Sequence, residues 1–265
     1  MHLAALHHYP VKSCAGQPLA EADVSPLGLP FDRHWMLALP DGQFITGRDY
    51  PLLVRVTVVA NATGLQLSAP GMPPLQVSPA DCTAPVQTGV WRYQFSAWGG
   101  CQVANTWFSE YLQTACQLLY IGAETQRWHD RMEAVPLSFA DGYPLLLIGQ
   151  GSLDDLNSRL AQPVGMANFR PNLVIAESNA YEEDYWQRIR IGEVEFFNPK
   201  PCSRCIFTTV DPATGEKAAS GEPLATLSQY RMIEPHGVCF GVNLVVSKPG
   251  TLRIGDPLEV LDWDF

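Results

Sequence analysis

The stretch Lys200-Pro201-Cys202-Ser203-Arg204-Cys205-Ile206-Phe207-Thr208-Thr209-Val210-Asp211-Pro212 sets two thiols three positions apart beside two cations, then turns β-branched. Pro201 holds Lys200 in extended backbone and removes one amide donor, so the thiols are expected on a turn rather than inside a helix. Ile206 to Val210 carries strand-forming side chains, and Asp211-Pro212-Ala213-Thr214-Gly215 has the composition of the turn that ends a strand. The stretch therefore reads as a loop entering a strand.

A thiol near Lys200 and Arg204 is expected to ionise more easily, because each cation stabilises the thiolate that attacks electrophiles or binds soft metals. Two ordinary strand-end cysteines would show the same spacing. A structural zinc site needs about four ligands, and the later candidates are His236 and Cys239. A thioredoxin-type pair would open a helix, which this stretch does not predict.

Outward from this segment, composition narrows the choices. With 265 residues the chain has enough length for a substantial core, as one β-rich domain or two smaller ones. The formal charge of −10 argues against a nucleic-acid partner while permitting a local basic pocket for a small anion. Seven scattered cysteines with no charged-then-apolar leader suit a reducing cytoplasm. No apolar run approaches the roughly 18–20 residues that cross a bilayer, so no membrane partner is expected.

Short strand-like runs fill the first third: His2 to Tyr9, Trp35 to Leu39, Phe44 to Thr46, Leu53 to Ala60 and Leu65 to Ser68. Asn61-Ala62-Thr63-Gly64 reads as a hairpin turn, and residues 71–85 as irregular connection. Asn105 to Ala115 switches to a helical period, with Asn105 or Thr106 as its cap. The domain boundary is placed between 117 and 118, giving 1–117 and 118–265. After the apolar strand Leu145 to Ile148, Ser152 and Asp155 predict a capping box for a helix with a Leu153, Leu156, Leu160 stripe. The last third returns to strands, with one helix over Leu224 to Arg231. The fold class expected is mainly β with a few helices (α+β): an N-terminal β-barrel-like domain followed by a second β-barrel.

Other polar segments stand where strands meet turns. Tyr9-Pro10-Val11-Lys12-Ser13-Cys14 offers an ammonium, a hydroxyl and backbone N–H groups to an anion. Phe31-Asp32-Arg33-His34-Trp35 sets an arginine at a strand mouth, and Arg48 follows Gly47. Asn168-Phe169-Arg170-Pro171-Asn172 gathers a guanidinium fork and two amides in a loop stiffened by proline. Ser138-Phe139-Ala140-Asp141-Gly142-Tyr143-Pro144 has turn chemistry around one acid. Solvated surface side chains would read the same way, one segment at a time.

In this order, together with Phe44 to Arg48 and Gly250 to Pro257, the segments resemble the MOSC-domain molybdenum-cofactor proteins with an N-terminal β-barrel domain. The likeness to the mitochondrial amidoxime-reducing component and its bacterial YcbX-type relatives spans nearly the whole chain. It implies a molybdenum cofactor, Mo-molybdopterin, with Cys205 as the protein thiolate on the metal. Lys12, Ser13 and Arg33 match positions that hold the pterin phosphate, Arg170, Asn172 and Ser203 match cofactor contacts, and Asp141 matches an acid beside the metal. Cys202 matches a position without that role. Gly142-Tyr143 departs from the Thr-Ser pair of mammalian-type members.

The activity implied is reduction of small N-hydroxylated substrates: amidoximes, hydroxylamines and N-hydroxylated bases. The chain ends at Phe265 without a C-x4-C-x2-C iron–sulfur pattern. Electrons are therefore expected from an external electron-donor protein, a ferredoxin or flavoprotein reductase. A carrier of the molybdenum cofactor, or of sulfur on Cys205, is the alternative.

Overall fold

The computed structural model describes residues 1–122, 127–132 and 135–264. These residues are mainly in strands, with three α-helices among those described: α1 (Gln102–Leu112), α2 (Gln150–Arg159) and α3 (Leu224–Tyr230). The largest sheet runs, neighbour to neighbour, through Leu258–Trp263, Trp186–Ile191, Val194–Ser203, Gly237–Lys248, Leu145–Gly149, Leu173–Ala176, His2–His8 and Gln17–Leu19. Its pairings are antiparallel except that of Leu145–Gly149 with Leu173–Ala176, where α2 lies in the crossover between parallel neighbours.

The first strand of the chain lies inside this sheet, paired with Leu173–Ala176, and Glu21–Val24 pairs with Gly250–Arg253. The N-terminus is thereby carried to the second half of the chain. His2–His8 ends, and Leu145–Gly149 and Leu173–Ala176 begin, at one edge of the sheet. The loops there come from distant parts of the sequence.

A second sheet orders Trp35–Ala38, Gln117–Tyr120, Tyr93–Gly99 and Ala84–Val90, and a third pairs Thr57–Asn61, Gly64–Ser68 and Leu75–Val77. Along Tyr93–Gly99 alternate residues turn inward, burying Phe95 and Ala97 while Trp98 stays exposed. One core gathers Trp35, Trp107 and Phe108; another, inside the large sheet, gathers Leu3, Trp186, Phe196 and Leu244.

The segment expected to be a strand at Ile206 to Val210 is instead a 3₁₀ turn, Ile206–Thr209. The threonine hydroxyls decide it: Thr208 Oγ1 donates to the Cys205 carbonyl at 3.0 Å and Thr209 Oγ1 to that of Ile206 at 2.8 Å. Both threonines are buried there, and tertiary packing overrides their β-propensity. The preceding strand ends at Ser203, so Cys205 stands just beyond it as the cap of the turn.

Other boundaries move for similar reasons. Residues 53–60 open as the 3₁₀ turn Pro51–Arg55, with proline at its first turn, before the strand Thr57–Asn61. The expected irregular region holds the strand Leu75–Val77 and a 3₁₀ turn, Pro79–Asp81, capped by Ser78. Helix α1 starts earlier, with Cys101 at its cap, because Asn105 Oδ1 accepts from Leu118 N at 2.8 Å and ties helix to strand. Gly149, not Ser152, precedes α2, since Ser152 Oγ donates to the Glu183 carboxyl at 2.7 Å.

Glu183 is fully buried under α2, and that burial pushes its carboxyl from the usual 4.5 up to about 7, against the hydrogen bonds from Ser152 and Gly149. A carboxyl whose folded pKa lies above its unfolded one binds its proton more tightly when folded. Its stabilisation is therefore full below pH about 4.5 and lost as pH rises to about 7, on the order of 3 kcal/mol in all. In Glu183→Gln this slope is expected to flatten, read as urea unfolding free energies at pH 5 and 7.5. Parallel slopes in variant and parent would reject Glu183 as the titrating group.

Candidate active site

At the shared sheet edge lies a cavity of about 400 Å³. Lys12, Ser13, Arg33, Asp141, Arg170, Asn172, Ser203 and Cys205 all line it, so the eight residues singled out from sequence converge on one space. Among the described residues six cations face it (Lys12, Arg33, Arg48, Arg170, Lys200 and Arg204) against one lining carboxylate, Asp141. These six come from 17 lysines and arginines in a chain of charge −10, so the local sign opposes the global one.

Backbone strain concentrates at the same place. Of eight described non-glycine residues with positive φ, four line the cavity: Ser13 (72°), Arg33 (51°), Trp91 (57°) and Arg170 (58°). Such conformations persist only where surrounding contacts enforce them.

Lys12 is almost wholly buried, and its Nζ donates to the Phe139 carbonyl at 2.9 Å and to Asp141 Oδ1 at 2.8 Å. An ammonium has three donors, so one remains for a ligand. Burial lowers the Lys12 pKa, with Asp141 acting against that shift. The loss of solvent on the cavity side of the Asp141 carboxyl works to raise it, but the Lys12 charge, its hydrogen bond and the Trp91 indole N–H hold it down to about 2. At neutral pH Asp141 is a carboxylate, and its side chain is still 68% exposed.

Arg33 donates to Asp32 Oδ2 at 2.5 Å and to Asn172 Oδ1 at 3.1 Å, and Asp32 in turn accepts from Tyr9 N at 2.7 Å. The Asn172 amide also takes Leu146 N at 3.1 Å and gives to the His7 carbonyl at 3.1 Å, which leaves one amide hydrogen. Arg170 lies 4.2 Å from the Tyr9 ring and 5.6 Å from that of Phe207, and its buried Nη2 has no hydrogen-bond partner among the described residues. Burial presses its pKa down to about 10, leaving it charged at neutral pH. Ser203 Oγ donates to the His236 carbonyl at 2.8 Å.

The two thiols separate in environment. Cys205 is exposed, Cys202 half-buried, and the other five cysteines are buried. Of the two thiols beside Arg204 it is Cys202 that the guanidinium serves: Nη1 donates to Cys202 Sγ at 3.2 Å while Nη2 donates to the Phe169 carbonyl. Among the described residues no group of three or more His, Cys, Asp or Glu gathers around one point. A metal at Cys205 would thus take its other ligands from a bound group.

Sequence reading missed two residues that shape this site. Arg127 donates to the carbonyls of Ser138, Ala140 and Asp141, fixing the loop that carries the carboxylate. Trp91, at the tip of the hairpin between Ala84–Val90 and Tyr93–Gly99, donates to Asp141 Oδ1 at 3.0 Å. A tryptophan at a hairpin tip, where glycine or asparagine is usual, was the available signal. Gly47 was visible only as a turn, yet a Cβ there would come within 2.2 Å of the Phe207 ring.

Residues 1–115 match the MOSC N-terminal beta barrel domain, and residues 135–259 match the MOSC domain. The chain belongs to the MOSC-domain proteins. Its relatives include mitochondrial amidoxime-reducing component 1 of Mus musculus, 34% identical over 98% of this chain and 82% of that protein. Mitochondrial amidoxime reducing component 2 of Rattus norvegicus is 37% identical over 94% of this chain and 80% of its own length. Component 1 of Homo sapiens is 33% identical, again over 98% and 82%.

The donors of this MOSC cavity fit the cofactor implied by the resemblance. An anionic pterin phosphate meets excess positive charge, a buried unpartnered guanidinium nitrogen on Arg170, and spare donors on Lys12 and Asn172. A metal already held by dithiolene sulfur meets an exposed thiol, the soft ligand it favours.

Proposed function

We propose that this chain is a molybdenum-cofactor-dependent reductase of N-hydroxylated compounds (amidoximes, hydroxylamines, N-hydroxylated bases). The observation that carries the reading is the exposed Cys205 thiol at a cavity where six cations converge. The near-full-length relatives support it, being named for amidoxime reduction. When bound, the cofactor supplies two electrons and Lewis acidity for cleaving the N–O bond; with two protons, the products are the N–H compound and water.

The residues divide the remaining work. Cys205 is the metal's protein ligand, Lys12, Ser13 and Arg33 hold the phosphate, and Arg170, Asn172 and Ser203 hold the rest of the cofactor. Asp141 acts as a carboxylate rather than as an acid: Oδ1 is bound by Lys12 and Trp91, and Oδ2, without a partner among the described residues, accepts from the substrate N–OH. The proton of the pair rests on Lys12 Nζ, whose burial makes it easier to release.

The electrons come from a separate donor protein, a ferredoxin or flavoprotein reductase; relatives named as components of a reducing activity support this. A cytoplasmic, reducing location suits seven free cysteines. Division into domains 1–117 and 118–265 is supported by family matches at 1–115 and 135–259.

The test is protein made in a host that synthesises molybdopterin, assayed for molybdenum and for benzamidoxime turnover with a chemical reductant. About one molybdenum per chain with turnover is expected. A full metal load without turnover would mark a cofactor carrier, and a Cys205 persulfide without molybdenum a sulfur carrier.

A further inference from the structure

Trp91 is held on several sides yet left bare. Its left-handed φ of 57° is one that side chains other than glycine, asparagine or aspartate adopt at a cost. The ring joins none of the buried apolar clusters and is 47% exposed. Its orientation is nevertheless fixed: the Arg48 guanidinium lies 4.3 Å from it, the Phe44 ring meets it edge-on at 5.4 Å, and its N–H bonds Asp141 Oδ1 at 3.0 Å. Folding gains little from exposing a rigid indole at a strained turn.

The other aromatic side chains at the cavity are already engaged. Tyr143 has His129 at 4.7 Å and Lys200 at 5.6 Å, Phe207 packs on Gly47 and Arg170, and Phe169 is buried against the Phe240 ring at 4.3 Å. Trp91 therefore offers an apolar face in a lining otherwise rich in charge. Its N–H edge lies at the carboxylate proposed to accept the substrate N–OH.

We infer that Trp91 is a substrate-stacking residue that selects planar aryl or heteroaryl N-hydroxylated compounds over aliphatic ones. A flat ring on the indole sets its N–OH substituent at the Asp141 edge; an alkyl chain gains much less from that face. The inference rests on the proposed reductase for the N-hydroxylated group, and the preference for planarity is its own content.

The test is binding without turnover. Dissociation constants of benzamidoxime and acetamidoxime are measured by calorimetry on molybdenum-loaded protein with no reductant, for the parent, Trp91→Phe and Trp91→Ala. The parent is expected to bind benzamidoxime at least about 10-fold more tightly. Trp91→Ala is expected to remove most of that ratio, and Trp91→Phe to keep it within about 3-fold, since it retains a ring but loses the N–H.

An absent preference in the parent, a preference that survives Trp91→Ala, or equal loss in both variants would overturn the inference. Equal loss would assign the effect to the hydrogen bond on Asp141. Molybdenum content of each variant confirms that the cavity is intact. A parent that shows the binding preference but reduces neither compound would sink the reductase reading while leaving the stacking role in place.

Discussion

Cys205→Ser is expected to lose at least about 100-fold of amidoxime turnover together with most of its molybdenum, since even residues one shell away from a metal commonly cost 10–100-fold. The fold should not notice. Cys205 is exposed and joins no apolar cluster, so unfolding free energy is expected to stay within about 0.5 kcal/mol of the parent. Cys202→Ser is the control. That thiol accepts from Arg204 and packs against a buried cluster, so it is expected to retain the metal while losing some stability. Loss of molybdenum from Cys202→Ser with retention in Cys205→Ser would exchange the two roles.

Arg33→Gln is expected to have the largest effect on stability among the site residues, about 3 kcal/mol. Its partner Asp32 is only 1% exposed and would be left as an uncompensated buried carboxylate. Asp32→Asn together with Arg33→Gln removes both charges while Tyr9 N keeps an acceptor, so most of the stability should return. Cofactor retention should not return with it. If Arg33 binds phosphate, single and double variants alike should release molybdopterin more readily than the parent, by about 10-fold or more for one lost charge-assisted bond. Full retention in the double variant would move the phosphate elsewhere and leave Arg33 a role only in folding.

The segments around Lys12, Arg33, Asp141, Arg170 and Cys205 were legible because each joins a strand end to an unusual donor or nucleophile within a few residues. The hairpin at Asn61-Ala62-Thr63-Gly64 was legible because turn chemistry is local. The turn Ile206–Thr209 was not, since its β-branched composition is the same in either state and buried hydroxyl bonds choose between them. Nor was the charge state of Asp141 readable, because it depends on an ammonium 129 positions away.

From the amino acids alone came the β-rich class, the inventory of cations and thiols, and the family likeness. These rest on alternation, turn residues and local spacing, which act over a few positions of chain. Only the folded chain decided that His2–His8 lies in the sheet of the second half, which brings Lys12 to Asp141 and sets Arg33 against Asn172. It also decided that Arg204 serves Cys202 and that a hairpin tip supplies Trp91. The reason is physical: burial, ion pairing and ring contact depend on distance in space, and strand pairing joins residues that sequence proximity does not.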